Sequence, residues 1–288
     1  MLELTVHTNA SRSLESYLRE RLRYAERGAV ERALRNRDVK RNGARLGRGE
    51  TVAEGDILQV YIADDLLYPE PRVLLSRDGL LAIDKPQDIP SVGEGSIEEW
   101  MQGRYPGARA CHRLDSATCG VLLFALSDDV HDEVLRLFKE RKVGKTYRCR
   151  VAGLPRRTEG ELCAYLRKDG DRGKVYASRQ METGARSAVL RYRVIGADGE
   201  TALLEVDLLT GRTHQIRVQM AHEGHPVLGD DLYGDRAINR ALRARKLHLQ
   251  SMRLSLREGR FAGVVIEAPP IGFLRTEQEK EATPYGGI

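Results

Sequence analysis

The stretch ARSAVLRYRVIGADGETALLEVDLLTG, residues 185–211, carries the pattern that decides the fold. Two apolar-rich runs flank Asp198-Gly199, a dipeptide suited to a tight turn, so the stretch reads as two long paired strands. Working outward, KTYRCRVAG (145–153) alternates, with Tyr147, Cys149 and Val151 on one face and Thr146, Arg148 and Arg150 on the other. RVLLSRDGLLAID (72–84) is strand, turn, strand, and VLLFALS (121–127) is a buried strand. Two helices interrupt this texture. SDDVHDEVLRLFKERKVG has Ser127 as N-cap, acids in its first turn and Val130, Val134, Leu137 and Phe138 as its core face. RTHQIRVQMAHEG enters a helix at Thr213 and stops near Gly224. Runs of strands with few helices predict an α+β domain built on a mostly antiparallel sheet.

The chain has 288 residues, more than one core usually organises, so one large domain and a small one are expected. Hydrophobic residues make up 41%, enough for a packed core, and no apolar run approaches the ~18 residues of a membrane span. The N-terminus, MLELTVHTNASRS, has no apolar signal region, which points to the cytoplasm and away from membranes. Cys111, Cys119, Cys149 and Cys163 form no C-x-x-C pair and suit neither a zinc site nor a disulfide framework.

Net charge is only +5, but its distribution is uneven: residues 11–48 carry twelve Lys and Arg against five Asp and Glu. Positive charge concentrated in this way is the footprint of a phosphate-backbone partner, though a solvated helix face would also carry it. Within that segment, Leu14, Leu18 and Leu22 form one stripe of an amphipathic helix, AVERALRNR a second helix, and Asn42-Gly43 a hairpin turn before the strand ILQVYI. The pattern resembles the RNA-binding domain first described in a small-subunit ribosomal protein. Residues 1–65 are thus expected to form a small basic α/β RNA-binding domain, 66–71 (LLYPEP) a linker, 72–275 the catalytic domain and 276–288 a frayed tail.

Three stretches carry chemistry: HRLD at 112–115, K-T-Y at 145–147, and LLTGRTHQIRVQMAHEGHPVLGDDLYG at 208–234. Singly each has a plain structural explanation: an ion pair, a core tyrosine, a helix cap. Together they resemble the RluA-type family of RNA pseudouridine synthases over nearly all of residues 72–270. HRLDSATCG stands for the family's H-R-L-D-x-x-T-S-G, with Cys119 in place of serine. G-R-T-H-Q-I-R and G-H-P-x-x-G-D-x-x-Y-G follow without gaps, and KLHLQSMRL is similar to a late Leu-His segment. DKPQD departs from the family's N-K-P-x-G, which affects the shape of that loop.

The resemblance implies the pseudouridine synthase fold and a reaction that breaks the bond between ribose and a ring nitrogen of uracil and rejoins the base through a ring carbon. No redox change occurs and no group is gained or lost, so neither a cofactor nor a metal is required. One ionised carboxylate can serve as nucleophile or general base, and the resemblance assigns this to Asp115. It further implies Arg217 as the guanidinium that keeps Asp115 ionised and orients it through a bidentate fork. Tyr147 is implied to stack on the uracil, Ile216 to line its other side, and Arg113 to enter the space that the flipped nucleotide vacates. Arg212, in a Gly-Arg-Thr turn at a helix start, is expected to meet a phosphate. Arg148 and Arg150 either touch RNA or form a solvated face. His222, His225 and Asp230 or Asp231 lack the i, i+4 histidine spacing of a helical metal site. Cys111 and Cys119 read as packing residues.

The expected partner is structured RNA, ribosomal RNA ahead of transfer RNA, met by a monomer as in the family at large. Two rivals remain. A nucleoside hydrolase would need two carboxylates flanking the bond. A non-catalytic RNA-binding factor would be expected to have lost Asp115, Tyr147 or Arg217, and all three are present.

Overall fold

The computed structural model describes residues 1–169 and 173–281, and these form two compact units: Met1–Arg72 with Ile89–Ala110, and Val73–Asp88 with Cys111 onward. The larger unit is built on one sheet. Its strands run, edge to edge, Val175–Ser178, Glu159–Lys168, Arg186–Ala197, Thr201–Leu208, Val143–Ala152, Leu249–Leu256, Cys119–Ala125, Leu80–Lys85 and Val73–Arg77. Val265–Glu267 pairs alongside Leu249–Leu256. All neighbours in this series are antiparallel except Cys119–Ala125 and Leu249–Leu256, which pair in parallel. The α+β class with a mostly antiparallel sheet is therefore as read from the sequence, and 185–211 is a hairpin closed at Asp198-Gly199, with Gly199 at φ +88°.

The parallel pair matters most for function, because the HRLD loop enters the sheet there. Gly120 sits at φ +106°, and a Cβ on it would overlap the backbone carbonyl of Ser251 on the neighbouring strand. Only glycine permits that approach. All seven residues of Cys119–Ala125 are buried. Val121, Leu123 and Ala125 pack in one core cluster with Val130, Val134 and Leu137 of helix Asp128–Lys139, while Phe138 is half-buried at its margin. Ser127 does precede that helix in an extended conformation, but its hydroxyl turns to the Asp129 carboxylate and caps no backbone amide.

The second helix differs from expectation at its start. It spans Gln215–His222, and its N-cap is His214 in the left-handed region, φ +54°, not Thr213. Nearly every side chain on it is buried, polar ones included, so each polar group needs a partner. Gln215 accepts from the Thr210 hydroxyl (2.8 Å) and the Arg212 amide (3.0 Å), and Gln219 donates to the carbonyls of Leu162 and Ala188. An amphipathic stripe is absent here because Gln215 through Met220 are all buried.

Of the stretch read as a frayed tail, 282–288 lies outside the described residues, while Glu277–Glu281 is a helix docked on the sheet. Arg148 grips Glu279 at 2.7 and 2.9 Å, and Arg150 pairs with Asp198 and the Phe273 carbonyl. Arg148 and Arg150 are consequently neither a solvated face nor open to RNA: their side chains are 15% and 14% exposed.

In the smaller unit, Leu2–Thr5, Ile57–Val60, Val39–Arg41 and Ala44–Leu46 form a sheet, with helices Leu14–Arg21 and Ala29–Asn36 alongside. Asn42 and Gly43 both have positive φ, +52° and +81°, the conformation of the predicted hairpin turn. LLYPEP is less featureless than expected, since Asp64–Leu67 is a helical turn. Residues 89–110 belong to this unit through an aromatic cluster: Tyr24 stacks on both Tyr68 and Trp100, and Trp100 donates to the Pro69 carbonyl at 2.7 Å. Glu99 accepts from Arg21 (2.7 and 2.8 Å) and from the Tyr24 hydroxyl (2.9 Å).

Candidate active site

Asp115 lies in the loop just before Cys119–Ala125, where the Thr118 amide closes a turn onto its carbonyl. Lys85, at the end of the adjacent strand, holds this loop from beneath. It is fully buried and donates its three ammonium hydrogens to the carbonyls of Pro86 (2.9 Å), Ser116 (3.0 Å) and Thr118 (2.8 Å). Burial draws its pKa down to about 8, which leaves it protonated at neutral pH with one hydrogen for each carbonyl. Gln87 adds bonds to the carbonyls of Ala117 and Leu247. The atypical DKPQD segment thus acts as a brace for the Asp115 loop.

The Asp115 side chain is 26% exposed, and Arg217 Nη1 reaches its Oδ2 at 3.3 Å. The fork expected on Asp115 goes elsewhere. Arg217 Nε and Nη2 bond Asp230 Oδ2 and Oδ1 at 2.7 and 2.8 Å, and Asp230 is 1% exposed. Asp230 also accepts from the amides of Leu232 and Tyr233. Its burial opposes ionisation, but the Arg217 hydrogen bonds and charge outweigh that and hold its carboxyl below the usual range. Gly229 delivers Asp230 to this place: at φ +71°, a Cβ there would overlap the Lys246 carbonyl.

A third group faces Asp115. His214 Nε2 stands 3.8 Å from Asp115 Oδ2, while its Nδ1 shares a 2.8 Å hydrogen bond with the Tyr233 hydroxyl. Burial, with Arg217 close by, lowers the imidazole pKa although Asp115 pulls the other way. The left-handed backbone at His214 is costly for a residue with a Cβ, and it is held at a position where both ring nitrogens have a neighbour. Arg217 also lies 5.2 Å over the Tyr233 ring.

Tyr147 is buried in the strand Val143–Ala152, and burial first, with the Asp115 charge adding, raises its hydroxyl to about 12. It is a neutral phenol at neutral pH. Ile216 is 3% exposed, one residue before Arg217 on the enclosed helix. Arg113 is exposed two residues before Asp115. Arg212 lies before the first helical residue, and its Nε donates to the Ser187 carbonyl at 3.0 Å, so the helix N-terminus is not what aims it. Cys119 is buried with its thiol raised to about 12, which suits packing and not nucleophilic chemistry.

Lys85, His214, Asp230 and Tyr233 are the contributors that motif reading passed over or gave no role. Asp230 and Tyr233 stand in G-D-x-x-Y-G and His214 in T-H-Q, so the signal was present, but only the three-dimensional fold shows what each touches. Chemically, the site presents one accessible carboxylate beside a fixed guanidinium and a neutral phenol. The neighbouring acid, Asp230, has both oxygens held by Arg217 and is 1% exposed, so it is not open to act as the second carboxylate of a hydrolysis.

Comparison with known proteins agrees with this geometry. Residues 79–222 match the family model described as RNA pseudouridylate synthase. The dual-specificity RNA pseudouridine synthase RluA of Yersinia pestis is 34% identical over 188 residues, covering 62% of this chain and 90% of that protein. The ribosomal large subunit pseudouridine synthase C of Rickettsia conorii is 28% identical over 281 residues, 88% of this chain and 92% of that one. Among solved structures, human RNA pseudouridylate synthase domain containing 1 superposes with a TM-score of 0.61 at 25% identity, over 69% of this chain and 83% of that chain. A chain with this sheet, an Asp115–Arg217 pair at its parallel junction and these relatives belongs to the RluA-type RNA pseudouridine synthase family.

Proposed function

We propose that this enzyme isomerises uridine to pseudouridine within structured RNA through Asp115, acting on the sugar or the base as nucleophile or general base. The observation that carries the reading is the position of Asp115: partly accessible, braced by Lys85 from below and met by Arg217, whose own fork is anchored on buried Asp230. A carboxylate so placed is oriented beside a fixed guanidinium before substrate arrives, which is what positioned acid–base or nucleophilic catalysis requires. Tyr147 stacks on the target base with Ile216 opposite, and Arg113, exposed beside the loop, takes the place of the flipped nucleotide. Flipping costs a few kcal/mol, which backbone contacts offset.

Ribosomal RNA is the first substrate to test, because a relative named for the large ribosomal subunit aligns along most of this chain. Transfer RNA is the alternative, favoured by the relative named as dual-specificity. The N-terminal module, residues 1–65, resembles the ribosomal-protein RNA-binding domain in element order and supplies affinity. Of its basic residues Arg35, Arg37 and Arg45 are exposed, at the end of the second helix and on the hairpin.

The test is incubation of purified protein with total RNA from cells lacking the gene, followed by carbodiimide labelling and primer extension. New stops with the wild type and none with Asp115→Asn would establish the reaction and name the uridine. Stops with neither protein, despite RNA binding, would favour a non-catalytic RNA-binding factor.

A further inference from the structure

A second feature borders the catalytic loop. A cleft of about 520 Å³ opens among strands Val143–Ala152, Thr201–Leu208 and Leu249–Leu256, and five cations line it: Arg141, Lys145, Arg191, Arg253 and Arg257. The one acid in its wall, Asp207, already accepts from the Thr146 hydroxyl at 2.7 Å. Arg191 pairs outward with Glu161 and Arg253 with Glu267. Arg141, Lys145 and Arg257 have no carboxylate partner among the described residues.

Lys145 is the most telling of the three. Lys145 is half-buried, its ammonium reaches, among the described residues, only the Thr210 carbonyl, at 3.4 Å, and it feels the charges of Arg141 and Arg212. Cations gathered in a concave wall without counter-charge repel one another, and a polyanion seated among them removes that cost. The cleft adjoins the Asp115 loop by two routes. Phe138 in its wall packs on the His112 ring at 4.8 Å, one residue from Arg113. Lys145 precedes Tyr147 by two residues on one strand, whose pairing with Leu249–Leu256 shifts register between Thr146 and Tyr147.

We propose that this cleft is a phosphate-binding subsite for the RNA strand next to the flipped uridine, with Arg141, Lys145 and Arg257 as its contacts. This rests on the reading of the protein as an RNA-modifying enzyme and adds to it a second basic surface, apart from the N-terminal module. Each phosphate contact contributes counterion release, so log Kd varies with log salt by about 0.7–0.9 per contact.

The test uses the full chain with Arg141→Ala and Arg257→Ala combined. Both residues are exposed, so the fold should persist, with an unchanged melting temperature as the check. Binding of a fluorescein-labelled stem-loop RNA transcript is followed across a salt series. The expected result is Kd raised roughly tenfold at low salt and a slope shallower by about 1.4–1.8. A matched variant, Arg77→Ala with Arg136→Ala, removes two exposed arginines already paired with Asp78 and Glu140 and should leave a clearly smaller effect. Equal Kd and slope for wild type and the cleft variant, or equal losses in both variants, would overturn the proposal. So would competition by inorganic phosphate as effective as by unlabelled RNA, which would make the cleft a small-anion site. Loss of binding in the cleft variant from a wild type that makes no pseudouridine would overturn the catalytic reading and leave the cleft standing.

Discussion

Arg217 joins two aspartates of opposite character: its fork closes on Asp230, 1% exposed, while its remaining terminal nitrogen stands 3.3 Å from Asp115, which is 26% exposed. One guanidinium thus serves a buried acid and the accessible acid proposed to act on uridine. The buried pair fixes where the guanidinium sits, and the guanidinium fixes where Asp115 points.

Replacing Arg217 with alanine leaves Asp230 buried and ionised without a counter-charge. Breaking a buried pair on one side costs about 3–5 kcal/mol, so thermal unfolding of Arg217→Ala should begin about 10 °C lower, taking ~2–4 °C per kcal/mol for a domain of this size. Lysine at 217 keeps the charge but not the fork, and should recover only part of the loss. Calorimetry on the two variants checks this.

The pair should also show in acid. Asp230 has a folded-state pKa below its ordinary 3.8, so the unfolded chain takes up its proton first as pH falls. The stability it contributes is present above about pH 4 and is lost as pH drops through that folded value. The gap between wild type and Arg217→Ala, measured by urea unfolding, should therefore narrow below pH 4.

Asp230→Asn tests positioning without altering any group that meets substrate. Asparagine keeps the shape but not the charge that anchors the fork, so Arg217 is freed to turn wholly onto Asp115. The single-turnover rate should fall roughly a hundredfold, the scale of a small misplacement, while RNA affinity stays near that of the wild type.

Lys85→Met should loosen the Asp115 loop. Three carbonyls lose their donor, at about 1 kcal/mol or more each, and Ser116 and Thr118 are two of them. Lower melting temperature together with slower pseudouridine formation is the expected pair of readings.

Deleting residues 1–65 is a poor test of the N-terminal module, because Glu99 and Trp100 would lose Arg21 and Tyr24. Arg35→Ala, Arg37→Ala and Arg45→Ala combined remove charge and leave that packing intact. The salt slope of RNA binding should fall by about 2–3. An unchanged slope would place RNA elsewhere.

Much of this was legible in the chain. Alternation through 185–211 and 145–153, with Asp198-Gly199 between long strands, predicts the antiparallel sheet because period-two patterning has few other physical solutions. HRLD and HQIR bring Asp115 and Arg217 to notice. Hidden were the relationships that depend on distant chain segments. Nothing local says that Arg217 prefers Asp230 over Asp115, since the choice is made by the turn at Gly229. Nothing local marks Lys85 for burial, which comes only when the Asp115 loop folds over it. Glu99 in helix Ile97–Arg104 meets Arg21 and Tyr24, and Glu279 meets Arg148, partners 75 or more residues away. The helix at Gln215–His222 was legible but its burial was not, because its buried polar groups are met by hydrogen bonds and not by apolar neighbours.

The central claim is that Asp115 rearranges the glycosidic bond without releasing the base. The most direct measurement digests RNA to nucleosides after reaction with wild type or Asp115→Asn, separates pseudouridine from uridine by chromatography, and assays the supernatant for free uracil. The account predicts pseudouridine and no uracil with the wild type, and neither product with Asp115→Asn, which still binds RNA. Pseudouridine formed by Asp115→Asn at the wild-type rate, or uracil released in place of pseudouridine, would contradict it.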